Sequence, residues 1–272
     1  DAKKILPHEK NQWFPVSTKT RGDFFVVLPD VGDIFCEKAT TPTLNKLIYL
    51  ATYINKDNIL CTGVGGSLRP MTKKDIDTAL SINKNALTKF WKECKENNFI
   101  TEVDGKFYLP NDLFRFGKIN DLNSKSTAMI KMFKYSVRFM YEKTDEHSRK
   151  MLGYIYRLLP FLNLNHNVLC LNPWESDLSK IQNLSLGDIC QMFGLNYNDQ
   201  KKFINRLKKL RFTDLEGVER SLITYSWEYG NKDIYWVKIN PQLYASFLKE
   251  EDLRNVIDEF TVNNTKLIHH GG

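Results

Sequence analysis

The chain repeats itself at a fixed interval. Ser185-Leu186-Gly187-Asp188-Ile189 answers Thr72-Lys73-Lys74-Asp75-Ile76, and Asn198, Phe203, Ile204, Leu207 and Phe212 answer Asn85, Phe90, Trp91, Cys94 and Phe99, every pair at the same offset. Upstream of this stretch, Asn167-Val168-Leu169-Cys170 echoes Asn58-Ile59-Leu60-Cys61. A constant internal spacing with similar flanks restricts the chain to two copies of one supersecondary unit.

Local signals say what the unit is. A hydroxyl followed three residues later by a carboxylate is a capping box, so Thr72 and Ser185 each start a helix. The first helix is short, ending near Leu80, and Ser81-Ile82-Asn83 breaks it. Asn83 or Asn85 caps a longer helix to about Asn97, with Leu87, Phe90, Trp91 and Cys94 on one face. Phe99 to Leu109 then reads as a hairpin with Asp104-Gly105 at its tip. Another helix opens upstream at Thr41-Pro42, with Leu44, Leu47 and Ile48 at helical spacing. Helix, short helix, tight turn, long helix and hairpin is the order of a winged helix-turn-helix. The second copy has an apolar helix from Tyr154 to Leu162 and hairpin strands near 221–229 and 234–239 around Gly230-Asn231.

Outside the copies, Trp13 to Phe35 reads as strands, among them Asp23–Leu28. Ser124 to Thr144 reads as a helix with the stripe Met129, Phe133, Val137 and Met140. It serves either as a dimerisation helix, giving a homodimer, or as a strut between domains, which is favoured. The expected fold is α+β and mainly helical. Its divisions are a strand-rich segment at 1–39, a first winged-helix domain at 40–118, a helical linker at 119–147, a second winged-helix domain at 148–248 and an acidic C-terminal tail at 249–272.

Charge narrows the functional classes. The chain of 272 residues carries 39 Lys/Arg against 32 Asp/Glu, a net +7, which suits a polyanionic partner without naming one. Six basic residues and only Asp199 fall within 198–211, while Glu250, Glu251, Asp252, Asp258 and Glu259 gather near the end. No apolar run reaches the roughly 18 residues of a membrane span, and Asp1–Pro7 has no apolar signal-peptide region, so a cytoplasmic protein without membrane contact is expected. Five scattered cysteines suit buried thiols in a reducing compartment. They form no Cys-x-x-Cys pair, and the five histidines form no His-x-His pair, so no metal, cofactor or catalytic role is expected. Gly63-Val64-Gly65-Gly66-Ser67 lacks the Gly-Lys-Ser/Thr end of a phosphate loop.

In a helix-turn-helix the second helix reads the major groove. Its outer face in the first copy presents Asn83, Lys84, Asn85, Thr88, Lys89 and Lys92. In the second copy it presents Asn198, Lys201, Lys202, Asn205, Arg206 and Lys209. Amides suit adenine, and Arg or Lys suits guanine or phosphate. Lys106 and Lys232 sit near the two hairpin tips. One such face is as readily ordinary solvated surface as a binding face; two at equivalent positions favour contact with double-stranded DNA.

The layout over about 40–115 and 150–247 resembles plasmid and phage replication initiators with tandem winged-helix domains. Lys106-Phe107-Tyr108-Leu109-Pro110-Asn111-Asp112-Leu113-Phe114 is similar to the wing and exit of Gram-positive initiators. The resemblance implies recognition of origin DNA by both helices and recruitment of host replication proteins. The alternatives are a transcriptional regulator on a promoter operator and a winged-helix protein–protein adaptor.

Overall fold

The structure is a computed structural model that describes residues 21–28, 37–116, 129–228, 231–245 and 256–262. Its centre is built from two apolar runs. Phe24–Val27 (β1) and Ile130–Phe133 (β7), rich in aromatic and branched side chains, pair antiparallel with Val26 opposite Lys131. Phe114–Arg115 (β6) and Tyr244–Ala245 (β12) flank them in the order β12-β7-β1-β6. On one side Val27 pairs with Phe114 and Val26 with Arg115; on the other Met132 pairs with Tyr244 and Lys131 with Ala245. Val26 and Val27 thus correspond to Lys131 and Met132, and Phe114 and Arg115 to Tyr244 and Ala245. The two halves meet about a local two-fold axis through the Val26–Lys131 pair.

Helices cross the same axis. Thr41–Ala51 (α1) and Glu146–Tyr156 (α5) share the offset of the inner strands, Thr41 answering Glu146 and Ala51 answering Tyr156, and they pack together. A Cβ on Gly153 would lie 2.3 Å from the Thr41 carbonyl oxygen, so glycine alone permits this approach.

Beyond these helices each half makes the same backbone bonds. The Leu60 and Leu169 N–H groups donate to the carbonyls of Phe107 and Val237, and the Met71 and Leu184 N–H groups donate back to Leu60 and Leu169. In the first half Cys61–Thr62 (β2) and Arg69–Pro70 (β3) pair beside these bonds. Asn58 and Asn167 are buried, with φ of 59° and 55°. The Asn58 Nδ2 donates to the carbonyls of Leu109 (3.2 Å) and Phe114 (2.5 Å), and the Asn167 Nδ2 to those of Ile239 (2.7 Å) and Tyr244 (3.4 Å). Carbonyls turned inward need such partners, so one asparagine per half ties the start of the unit to its exit strand.

Between these ties lie two helix pairs: Lys73–Leu80 (α2) with Lys84–Asn97 (α3), and Leu186–Met192 (α6) with Tyr197–Leu207 (α7). Hairpins follow. In the first half Thr101–Val103 (β4) and Lys106–Tyr108 (β5) turn at Asp104-Gly105, both with positive φ. In the second, Ile223–Glu228 (β10) and Asn231–Ile239 (β11) pair. Glu102 faces Phe107 as Tyr225 faces Val237, so the offset between the copies widens along the hairpin. An added hairpin, Arg211–Thr213 (β8) with Glu219–Ser221 (β9), accounts for the first widening. Residues 256–262 pack on β9, where the Ser221 N–H donates to the Phe260 carbonyl at 2.8 Å. One apolar core runs through both halves.

The protein is mixed α+β, and three expected elements differ. Ser124 to Thr144 is not one helix, because the chain is a strand at β7 and turns helical only at Lys134–Lys143 (α4). The apolar helix starts at 146, capped by Asp145 accepting from the Ser148 N–H, and ends at Tyr156 instead of Leu162. Strand β11 starts at Asn231, earlier than 234. Strand β1 falls within 1–39 and β7 within 119–147, so both segments supply strands to the shared sheet. The strands expected at 13–20 and 29–35, and Glu250, Glu251 and Asp252, lie outside the described residues. Among the described residues no helix is long and apolar enough to cross a membrane.

Candidate nucleic-acid interface

Each helix pair is fixed by the same local chemistry. The Thr72 hydroxyl accepts from the Asp75 N–H, and the Asp75 carboxylate accepts in return from the Thr72 N–H; Ser185 and Asp188 repeat the exchange. Asn83 Oδ1 accepts from the Ala86 N–H at 2.9 Å, and Asn196 Oδ1 from the Asp199 N–H at 3.0 Å. These caps keep the interval seen in the sequence. The linking turns need a left-handed residue, Ser81 (φ 48°) in one and Gly194 (φ 63°) in the other.

The inner faces bury equivalent side chains, Phe90 with Cys94 and Phe203 with Leu207. The outer face of α3 leaves Lys84, Asn85, Thr88, Lys89 and Lys92 at the surface, and that of α7 leaves Lys201, Lys202, Asn205 and Arg206 there, whereas Lys209, expected on the same helix, is exposed in the turn beyond its end at Leu207. Lys84, Lys89, Lys201, Lys202, Arg206 and Lys209 make no ion pair among the described residues. Lys92 approaches Glu96 at 3.8 Å, an exposed pair worth little. Lys106 is exposed beside the Asp104-Gly105 turn.

Some of the expected contact residues are already engaged. The Asn83 amide oxygen is spent on the cap, and the Thr88 hydroxyl donates to the Lys84 carbonyl at 3.0 Å. Asn198 lies in the first turn of α7 and Lys232 at the start of β11; their side chains are outside the described set.

Three further cations sit near these surfaces that sequence reasoning missed. Arg69 grips Asp75 with two bonds of 2.7 and 3.0 Å, and with the Thr72 bonds holds that carboxyl well below its usual range. Lys73 pairs with Asp77 and lies 4.6 Å over the Trp91 ring, whose Nε1 donates to Asp77 at 2.7 Å. Lys208 lies 4.1 Å over Tyr225. The only signal for the first was an arginine shortly ahead of a capping carboxylate.

Cys61, Cys94, Cys170 and Cys190 are buried free thiols. Burial, with Glu93 beside it, pushes Cys94 far above its ordinary value, and burial raises the other three, so none is a poised thiolate. Among the described residues no group of His, Cys, Asp or Glu is placed to hold a metal.

No known protein family, curated protein or solved structure matches this chain. Function must be read from the chain's own geometry and charge.

Proposed function

We propose that the chain is a sequence-specific double-stranded DNA-binding protein of two winged-helix units, with α3 and α7 as recognition helices and the β4–β5 and β10–β11 hairpins as wings. The observation that carries this reading is the pair of cation- and amide-bearing outer faces on helices held by equivalent caps at one interval. A helix of this kind needs an acid-poor N-terminal half to approach base edges. Lys84, Asn85, Thr88 and Lys89 supply it on α3. On α7, Lys201, Lys202 and Asn205 supply it, and Asp199 is bonded to Asn196.

The two-fold relation at Val26–Lys131 adds a geometric consequence. Two helices related by such an axis read a duplex in opposite senses, so one bound site should contain two inverted, unequal half-sites. Replication initiation, with recruitment of host replication proteins, is the activity we favour. A transcriptional regulator would use the same interface, and the two-fold relation suits its operator equally. Sites recurring as direct repeats at an origin mark the initiator; one site over a promoter marks the regulator. The intracellular location and the absence of membrane contact follow from the same reading.

The test is titration with random duplex across salt concentrations. A steep fall of affinity as salt rises is expected. Weak binding that ignores salt would overturn the reading in favour of a protein–protein adaptor.

A further inference from the structure

A second hairpin stands beside each wing. In the first unit the bridge between Ile59 and Tyr108 is antiparallel, and the Leu60 N–H donates to the Phe107 carbonyl at 2.8 Å. The chain from Ile59 to Thr62 therefore runs along β5 toward the Asp104-Gly105 turn. The β2–β3 hairpin and the wing thus end on the same side. In the second unit Val168 pairs antiparallel with Lys238, and the Leu171 N–H donates to the Gln182 carbonyl. Residues 171–182 leave the sheet along β11 in the same sense.

Both tips hold apolar side chains out of the core. On the first, Val64 is 83% and Leu68 53% exposed; on the second, Leu171, Trp174 and Leu178 are exposed. Most of the large apolar side chains exposed among the described residues lie on these two tips. Scattered singly over a surface, such side chains need no explanation; grouped at equivalent places, they mark a contact.

The first tip is thin, fixed and free of acids. The Ser67 hydroxyl donates to the Val64 carbonyl at 2.8 Å, and the Leu68 N–H to that of Gly65 at 3.2 Å. Gly63 has φ of 93°, and a Cβ there would lie 2.3 Å from the Ser67 carbonyl oxygen, so glycine closes the turn. Gly65 and Gly66 leave bare backbone between Val64 and Ser67. At the base, the two bonds from Arg69 to Asp75 hold the hairpin against the first turn of α2. Residues 63–70 carry Arg69 and no acid. The register along β5 sets Lys106 opposite Cys61, with Asp104 at the wing's own turn. The second tip is longer and carries Glu175 and Asp177 against Lys180, a balance that opposes a phosphate backbone.

We propose that the β2–β3 tip enters the minor groove beside the segment read by α3 and wedges Leu68 between two base pairs, bending the duplex. This rests on the DNA-binding reading, in which the β4–β5 wing faces the duplex and its neighbour faces it too. A minor groove about 6 Å wide admits a tip whose centre is glycine backbone. An apolar side chain inserted there unstacks a base step and kinks the helix. Val64 covers the wedge on the groove side. The wedge itself is uncharged, so bending is separable from the salt dependence set by the lysines.

The experiment uses the full chain and a short duplex that the wild-type protein selects from a random pool, with donor and acceptor dyes at its ends. Energy transfer should rise when wild type saturates the duplex. Val64→Ser with Leu68→Ser should bind that duplex about tenfold more weakly, the loss expected when one leucine no longer leaves water. The same variant should abolish the rise in transfer while keeping the salt slope and the melting temperature of wild type. Trp174→Ser should change neither affinity nor transfer. Undiminished affinity and transfer in the double variant overturn the wedge and leave the tip to a protein partner. An equal loss in Trp174→Ser overturns its assignment to the first hairpin. Wild type that binds without a rise in transfer defeats the wedge alone, whereas wild type that binds no duplex at any salt defeats the DNA-binding reading as well.

Discussion

Between Thr72 and Phe99 in the first unit, and between Ser185 and Phe212 in the second, the two halves keep the same spacing and caps, and bury Ile76 and Ile189, Phe90 and Phe203, Cys94 and Leu207, and Phe99 and Phe212 at equivalent places. Beyond the second helix they part. The first passes directly into β4, whereas the second adds the β8–β9 hairpin and packs residues 256–262 against it. A buried ion pair holds that addition. The Arg220 Nε donates to Asp214 at 2.8 Å, and its guanidinium also reaches Asp258, Thr261 and the Ile257 carbonyl. Glu259 pairs with Lys238 of β11 at 2.7 Å, so two acids of the C-terminal segment engage cations of the second unit. The features held in common answer backbone bonding needs at a unit's core. The differences are added at its edge.

Breaking Arg220 tests the difference most severely. Arg220→Ala leaves a buried Asp214 uncompensated and should cost about 3–5 kcal/mol in chemical denaturation, with the second unit losing structure first. A cost below about 1 kcal/mol would mean the addition is ornamental. The pH dependence has a definite sign. Burial alone would raise Asp214, but its bonds from Arg220, the Val218 N–H and Gln242 outweigh that and hold it below the ordinary aspartate value. Its contribution is therefore complete above the unfolded pKa of about 3.9 and is lost as pH falls through the lower folded value. Arg220→Ala should flatten that acid limb.

The similarity is tested by the two asparagines. Asn58→Ala and Asn167→Ala each strip partners from two inward carbonyls and should each cost about 2–3 kcal/mol by denaturant titration. One free substitution beside one costly one would break the equivalence of the units. The charged faces sharpen it further. Lys201→Glu with Lys202→Glu, and separately Lys84→Glu with Lys89→Glu, should each reduce the salt slope of duplex binding by about 2 without changing the melting temperature. A pair that leaves the slope unchanged removes its helix from the interface. The smallest effect lies in the turns. Ser81→Gly, which copies Gly194, should stabilise the first unit by about 0.5–1 kcal/mol because Ser81 sits at φ 48°; thermal melting would register it.

What the sequence made legible was local. A capping box needs only a short stretch of chain and an N-cap a single side chain, so both helix pairs could be placed from Thr72, Asp75, Ser185 and Asp188 alone. The Asn58 and Asn167 echo was visible too, although its meaning depends on carbonyls far along the chain, at Phe114 and Tyr244. Helical spacing misled at Met129, Phe133, Val137 and Met140: the stripe crosses the β7–α4 junction, where pairing with β1 outweighs periodicity. Asp145 and Ser148 carried an unread cap for α5. The β8–β9 hairpin was hidden because Arg220, which pairs with Asp214 inside it, takes its remaining bonds from a distant segment at Ile257, Asp258 and Thr261. On the candidate interface, exposure of the cations could be read from spacing. The engagement of the Asn83 amide in a cap and of the Thr88 hydroxyl in a backbone bond required coordinates.

The crossing of α1 and α5 is unequal in its side chains. The place in α1 that corresponds to Gly153 is held by Ile48, which is fully buried. In an association of two identical chains the same amino acid would have to occupy both places, and two isoleucines or two glycines would separate or hollow the junction. A single polypeptide escapes that constraint: one helix can surrender its side chain so that the other keeps a bulky one.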